Sequence, residues 1–383
     1  MKNYQKYLRQ KKKQKRARTL QQLKKHPSLP RINQAKFPRR QRPAWKAAAL
    51  LIAAGLFAII LVVPTIIVVP YTNSSGSENI MKEKQMNTTK SNNDDKAELA
   101  DDSGMSVPVM RHQSQQIESI PLETYVARVV ANEMPAEFEM EALKAQALAA
   151  RTYVVYQLAN KDKENGYVTD TEQDQVYRND LELRKIMGKD YDKKMGKIKK
   201  AVAASKGQIL TYEDNPIFPA FFSTSNGYTE NSEDYWGNKL PYLRSVKSPW
   251  DEKSPKFMDQ KTMEVTDVGR ALGVSLPANG AIPVEVSRTD GHRVKEIKMG
   301  KKTFSGKEVR EKLDLRSSDF TMEQKDNYLI FTTKGFGHGI GMSQYGANGM
   351  AKEGKNYKEI VKYYYKGVKI STLQETAPKL VSR

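Results

Sequence analysis

The sequence predicts an α+β fold in which helices and antiparallel strands mix around a cleft, preceded by a single N-terminal transmembrane helix. Three observations support this prediction. A run of 23 residues, 47–69, carries no charge. Two segments within residues 122–159 repeat apolar side chains at helical spacing. The strands and short helices that follow are intermixed without regular alternation, which favours α+β over a doubly wound sheet.

The positive charge of the chain is concentrated at its N-terminus. The 383 residues have a formal net charge of +20, yet residues 1–46 hold 17 Lys and Arg and no acid. The other residues hold 47 basic and 44 acidic side chains. A basic groove for nucleic acid in the folded part is therefore not supported, and we expect no nucleic-acid partner there.

The uncharged run at residues 47–69 predicts an uncleaved membrane anchor. At about 1.5 Å per residue, a helix of this length spans a hydrocarbon core of roughly 30 Å. A buried core helix would show a polar face, and a cleaved signal peptide would have a shorter apolar region before a small-residue cleavage site. The positive-inside rule then places tail 1–46 in the cytoplasm and the remainder outside the cell membrane. The tail is a topology signal alone, or it also binds anionic lipid or nucleic acid.

Residues 70–116 predict a flexible linker, because they are rich in Ser, Asn, Lys and Asp and lack apolar periodicity. We expect the folded domain at 117–373 and a C-terminal tail at 374–383. Within the domain, the patterns predict helices at 122–132, 139–159, 308–313, 343–352 and 358–365, strands at 206–212 and 217–222, a hairpin of PVEVSR and VKEIKMG, and a strand at YLIFTTKG.

The first segment with candidate chemistry is residues 131–153, ANEMPAEFEMEALKAQALAARTY. Glu133 stands between the two predicted helices, since Pro135 disfavours helical geometry at Met134. An acid at such a corner, with apolar neighbours, can have a raised pKa suited to general acid catalysis. Alternatively, Glu133 is a solvated loop residue or helps to cap the second helix.

Two polar residues interrupt the apolar stretch of the second predicted helix. Arg151 needs a carboxylate partner or a wet cleft. Arg151 either forms a structural ion pair or contacts substrate or Glu133. Gln146 has similar alternatives, but its position is a weaker signal.

The second segment, residues 221–251, combines aromatic and polar side chains. Tyr228 offers a flat apolar face, and Ser225 and Lys247 offer hydrogen bonds. This mixture suits sugars, whose C–H faces stack on rings while their hydroxyls need polar partners. The alternative is a long loop that packs its aromatic residues on the core.

The third segment, residues 334–351, crowds six glycines around His338. Glycine permits close approach of the backbone to a ligand, but the spacing matches neither a dinucleotide-binding motif nor a P-loop. His338 is a general base, a hydrogen-bond donor to substrate, or a structural turn residue. The four histidines of the chain are not paired at ligand spacing, and there is no cysteine, so we expect no metal and no cofactor.

These three segments closely resemble the stage II sporulation protein D family of peptidoglycan lytic transglycosylases. The resemblance is carried by PLETYVARVVANEMPAEFEMEALKAQALAARTY, by FFSTSNGYTE with YLRSVKSPWD, and by GHGIGMSQYGANGMA, and it covers roughly residues 117–373. The wider family also contains enhancers of amidase activity.

The resemblance implies roles for particular residues. The family's catalytic acid matches Glu133, further active-site residues match Arg151 and Lys247, and the cleft-lining motif matches His338, Gln344 and Tyr345. Some members bind zinc through a cysteine in the segment that matches STSNGYT. This chain has Ser225 and Asn226 there, so that zinc site should be absent.

The resemblance also implies the reaction and its setting. Glu133 would protonate the bond between N-acetylmuramic acid and N-acetylglucosamine, then accept the proton of the muramic C6 hydroxyl as a 1,6-anhydro ring closes. Family members prefer strands stripped of stem peptides. That preference implies a companion sporulation amidase and a polytopic membrane scaffold protein, acting together when the mother cell engulfs the forespore. The alternative is a non-catalytic wall-binding enhancer of a cell-wall amidase.

Overall fold

A computed structural model describes residues 104–160, 166–277 and 280–381. The predicted cytoplasmic tail, transmembrane helix and most of the linker lie outside the described residues. Among the helices of these three ranges, none combines the length and apolarity that a membrane crossing needs.

The described chain mixes helices with several small sheets, so the α+β prediction is confirmed at that level. Its helices are α1 Leu122–Glu133, α2 Met140–Asn160, α3 Asp180–Met187, α4 Tyr191–Ala204, α5 Ser232–Trp236, α6 Val265–Leu272, α7 Gly306–Leu313, α8 Gln344–Lys352, α9 Tyr357–Tyr364, α10 Leu373–Thr376 and α11 Pro378–Val381. Its strands are β1 Ser106–Met110, β2 Ile117–Pro121, β3 Val168–Thr169, β4 Gln208–Tyr212, β5 Asn215–Pro216, β6 Phe221–Phe222, β7 Met258–Glu264, β8 Val284–Arg288, β9 Val294–Met299, β10 Lys302–Ser305, β11 Phe320–Lys325, β12 Tyr328–Lys334, β13 Met342–Ser343 and β14 Lys369–Thr372.

The first core is formed by α1, α2 and α4, which pack on one another. Sheet β14-β4-β5 lies against α2, and α8 and α9 pack on α2 as well. Helix α2 is apolar on nearly every side, with buried residues from Ala142 to Val155, which explains why elements surround it. This core therefore holds both helices of the first candidate segment.

The second core lies between residues 258 and 334. Two three-stranded antiparallel sheets, ordered β11-β12-β7 and β10-β9-β8, bury their apolar residues with α6 and α7. The predicted hairpin is β8 with β9, and the predicted YLIFTTKG strand is β12. Both predictions are confirmed.

The second and third candidate segments run side by side. Strand β6 pairs in parallel with β13, Thr224 forms a bridge with Phe336, and Glu230 forms one with Ile340. Asn226 also donates to Asp319 of the second core at 2.8 Å. The two segments therefore meet at the edge of the second core.

Several predicted boundaries were wrong. Strand β1 lies inside the segment predicted as linker, because its alternate residues Val107 and Val109 are wholly buried and it pairs with β2. Of the predicted strand 217–222 only β6 is present, since Pro219 lacks the N–H that a ladder requires, and β5 lies before it in the predicted turn. Helices α10 and α11 occupy the predicted C-terminal tail. Helices α3 and α4 were not predicted at all.

Candidate active site

Glu133 is the last residue of α1, one residue beyond the predicted end of that helix. The helix ends because Met134, which precedes Pro135, is extended with φ −130° and ψ 135°. Helix α2 begins only at Met140, so Glu133 stands at a corner between two helices. Its side chain is half-buried. The corner can therefore shield the carboxyl while leaving it accessible.

The surroundings of Glu133 favour a protonated carboxyl. Burial raises the pKa of Glu133 to about 6, and the negative charge of Glu172 adds to this shift. A hydrogen bond from the Val176 backbone and the positive charge of Arg178 oppose it. A carboxyl with this pKa can donate a proton near neutral pH and take one back.

Gln344 and Gln146 meet at the same corner. The Gln344 Nε2 donates to the Glu133 backbone oxygen at 2.9 Å, and it lies 3.5 Å from the Gln146 Oε1. Gln146 is wholly buried, and its Nε2 has no hydrogen-bond partner among the described residues. Tyr345 follows on the chain, is half-buried, and packs its ring on Phe138 at 4.9 Å. The first and third candidate segments therefore converge on Glu133.

Arg151 lies away from this corner, in the ion pair that was one of its two predicted alternatives. Its partner is Glu123 in the first turn of α1, with a shortest distance of 2.6 Å, and both side chains are buried. The remaining guanidinium hydrogen bonds go to the Ser205 hydroxyl and to backbone oxygens. Arg151 thus joins α1 and α2 and does not contact Glu133.

Ser225 is buried in a cluster that sequence reasoning missed, which we call the Asp251 cage. The Asp251 carboxylate accepts hydrogen bonds from the Ser225 backbone N–H and from the hydroxyls of Ser225, Ser248 and Ser343. Burial raises the pKa of Asp251 despite these donors. The Ser343 hydroxyl also accepts from the Gly346 N–H at the start of α8. The cage therefore fixes the helix start that presents Gln344 and Tyr345.

The acid of the SPWD motif is the sequence feature that could have pointed to the Asp251 cage. Asp251 is an acid set among Ser, Pro and Trp in a segment already chosen for its sugar-binding composition. Its partners Ser225 and Ser343 lie 26 and 92 positions away along the chain. The motif therefore points to Asp251 as a buried acid, but the residues that surround it could not be inferred from the sequence.

Lys247 and Tyr228 face each other across a short antiparallel bridge. Lys247 is exposed, and its backbone oxygen accepts from the Tyr363 hydroxyl at 2.7 Å. Tyr228 is half-buried with its ring 4.8 Å from that of His292. Lys247 immediately precedes Ser248, so the Asp251 cage fixes its backbone.

His338 lies among aromatic rings and not at the Glu133 corner. The rings of Phe222, Tyr235 and Trp236 lie 5.7, 6.1 and 5.7 Å from its own. Burial, followed by the positive charge of nearby arginines, lowers the pKa of His338 to about 3. Its Nδ1 accepts from the Ile340 N–H at 3.0 Å, which makes His338 a neutral residue of a tight turn.

Comparisons with known proteins match the chain to one family. Residues 110–212 match the family model described as stage II sporulation protein. The chain is 50% identical to stage II sporulation protein D of Bacillus subtilis (strain 168) over 279 residues, or 72% of this chain and 81% of that protein. It is 49% identical to stage II sporulation protein D of Bacillus amyloliquefaciens over 74% of this chain and 83% of that protein. It is also 30% identical to the amidase enhancer of Bacillus subtilis (strain 168), over 64% of this chain and 40% of that protein.

Proposed function

The chain belongs to the stage II sporulation protein D family, and we propose that it is a lytic transglycosylase that cuts peptidoglycan glycan strands during sporulation. The observation that carries this proposal is the Glu133 carboxyl. It is half-buried at a helix corner, accepts a backbone hydrogen bond from Val176, and has a pKa raised to about 6. These are the properties of a group that donates a proton and then recovers one.

The proposed reaction uses this one carboxyl twice. Protonated Glu133 gives its proton to the oxygen that links N-acetylmuramic acid to N-acetylglucosamine, and the bond from muramic C1 to that oxygen breaks. The resulting carboxylate then accepts the proton of the muramic C6 hydroxyl as O6 bonds to C1. The products are a 1,6-anhydromuramic end and an N-acetylglucosamine with a free C4 hydroxyl, and water is not consumed.

The other residues of the site support Glu133 in different ways. Gln344 holds the backbone at the corner, Gln146 contacts Gln344, and Tyr345 offers a ring beside it. Lys247 and Tyr228 supply a cation and a second ring for substrate. Four further residues act by maintaining the fold around the site: Arg151, Ser225, Asp251 and His338.

We place this activity outside the cell membrane. The predicted helix 47–69 would anchor the chain with residues 1–46 in the cytoplasm. The folded part would then meet the cell wall together with a companion sporulation amidase and a polytopic membrane scaffold protein of the engulfment complex.

The test is product analysis by mass spectrometry, with the full chain in mild detergent acting on glycan strands free of stem peptides. The wild type should release 1,6-anhydro products. Glu133→Gln should release about 10²- to 10⁴-fold less, because the general acid is lost. A matched control is Glu139→Gln, which changes an exposed acid immediately before α2. Anhydro products from Glu133→Gln at the wild-type rate would contradict the proposal.

The likeness to an amidase enhancer favours a second candidate function, a non-catalytic module that binds glycan and stimulates an amidase. In that case neither the wild type nor Glu133→Gln releases anhydro products. Both proteins would sediment with glycan strands and would raise the activity of an added cell-wall amidase to the same extent.

A further inference from the structure

A band of alternating aromatic and cationic side chains leads away from the Glu133 corner towards the second core. We call it the aromatic–cationic strip, and its members are Phe138, Tyr345, Lys256, Phe336 and Arg316. The ring of Tyr345 packs on that of Phe138 at 4.9 Å. The Lys256 Nζ lies 5.9 Å from the centre of the Tyr345 ring and 5.5 Å from that of Phe336. The Arg316 guanidinium lies 5.5 Å from the centre of the same Phe336 ring.

The outer members of the strip are at the surface. Tyr345, Lys256, Phe336 and Arg316 are each half-buried, whereas Phe138 belongs to the first core. The strip is also continuous with the candidate site, because Tyr345 follows directly on Gln344. A ligand at the Glu133 corner would therefore extend onto these residues.

The two cations of the strip are not neutralised equally. Arg316 pairs with Asp259, with the Nε 3.2 Å from the carboxylate, yet its side chain remains 41% exposed. Over residues 104–160, 166–277 and 280–381, no carboxylate lies within ion-pair distance of Lys256. An ammonium between two rings retains its attraction for an anion, since the rings contribute only quadrupoles.

The backbone of the strip is held in place from both sides. Phe336 forms paired backbone hydrogen bonds with Thr224. The Lys256 N–H donates to the Ser254 hydroxyl, whose oxygen lies 3.1 Å from that of Thr224. Less ordering is therefore required when a ligand binds.

We propose that the strip is a subsite for an acidic sugar, in which Lys256 and Arg316 bind a carboxylate while Tyr345 and Phe336 contact the sugar ring. This inference rests on the proposed function, which supplies the ligand. In a glycan strand, the sugar with a carboxylate is N-acetylmuramic acid whose lactyl group carries no peptide. A lactyl group bound in an amide lacks the charge, so the strip would discriminate by charge complementarity.

The test is a binding measurement by calorimetry on the full-length Glu133→Gln chain in detergent, so that no ligand is cut. The ligands are peptide-free oligosaccharides of alternating N-acetylglucosamine and N-acetylmuramic acid, either with free lactyl carboxylates or with every carboxylate converted to a methylamide. The free acid should bind about tenfold more tightly, as expected for one charge-assisted contact. Lys256→Gln and Arg316→Gln, each added to Glu133→Gln, should reduce this preference several-fold, and Lys256→Arg should retain it.

The control is Lys253→Gln, which removes an exposed charge three residues before Lys256. It should keep the full preference, and thermal melting should show that all variants are folded. Equal binding of the acid and the methylamide by the parent chain would overturn the proposal. An unchanged preference in both Lys256→Gln and Arg316→Gln would overturn it too. Neither outcome bears on whether Glu133 forms anhydro products, so the two proposals can fail separately.

Discussion

Helix α1 carries an acid at each end, and the two acids have opposite surroundings. Glu123 lies in the first turn, where the helix dipole favours a negative charge, and it is sealed in an ion pair with Arg151. Glu133 is the last residue, where the dipole disfavours a negative charge. It is half-buried and receives one backbone hydrogen bond.

The difference separates a structural acid from a candidate reactive one. The Glu123 carboxylate makes three nitrogen-to-oxygen contacts with Arg151 and one with the Gly207 N–H within one closed cluster, so proton exchange there would break the contact between α1 and α2. Glu133 can change protonation without such a loss. Burial alone does not distinguish the two carboxyls, whereas burial with few donors and a route to solvent makes Glu133 the candidate acid.

The largest effect on stability should follow from breaking the ion pair between Glu123 and Arg151. Arg151→Met should lower the free energy of unfolding by about 3–5 kcal/mol, because it leaves the Glu123 carboxylate buried without its cation. Urea unfolding followed by circular dichroism measures this change. A second substitution, Glu123→Leu, should recover part of the loss, since it removes the unpaired charge. If Arg151 binds substrate instead, Arg151→Met should keep its stability and lose only product formation.

The ends of α1 could be predicted from the sequence, but the distant residues that contact Arg151 and Glu133 could not. Both ends of α1 were predictable, because Pro121 and Pro135 bracket a strong apolar periodicity. The partner of Arg151 was not, since Glu123 lies 28 positions away and looks like any acid in a first helical turn. Gln344 reaches Glu133 across 211 positions, and only the resemblance placed it in the cleft.

The missed helices have a related explanation. Helix α4 reads as a lysine-rich segment, yet Met195, Ile198 and Val202 bury one face against α1 and α2. Helix α3 begins with a capping box between Asn179 and Glu182, a signal that the apolar pattern alone overlooks.

The next effect concerns the pH dependence at the Glu133 end. The proposed acid must be protonated, so product formation should fall as pH rises above about 6, approaching tenfold per pH unit. The positive charge of Arg178 lowers the pKa of Glu133, and the negative charge of Glu172 raises it. Arg178→Gln should therefore move the falling limb to higher pH, and Glu172→Gln should move it to lower pH.

This pair of variants also tests whether one carboxyl suffices. Rates of anhydro product release between about pH 4 and 8, about two pH units either side of the Glu133 pKa, provide the measurement. Shifts in the same direction for both variants would contradict the electrostatic explanation. Abolished activity in Glu172→Gln would show that a second carboxyl takes part in the reaction, as in two-carboxylate glycosidases.

The smallest effect should come from the contact that holds the Glu133 backbone. Gln344→Ala removes a hydrogen bond to the Glu133 oxygen, worth about 0.5–1.5 kcal/mol, so product formation should fall roughly threefold to tenfold. The falling pH limb should stay in place, because Gln344 contacts the backbone oxygen and not the carboxyl. Gln374→Ala, at an exposed glutamine of α10, is the matched control. A loss as large as that of Glu133→Gln would mean that Gln344 contacts the reacting atoms, and an unchanged rate would mean that this hydrogen bond does not position the corner.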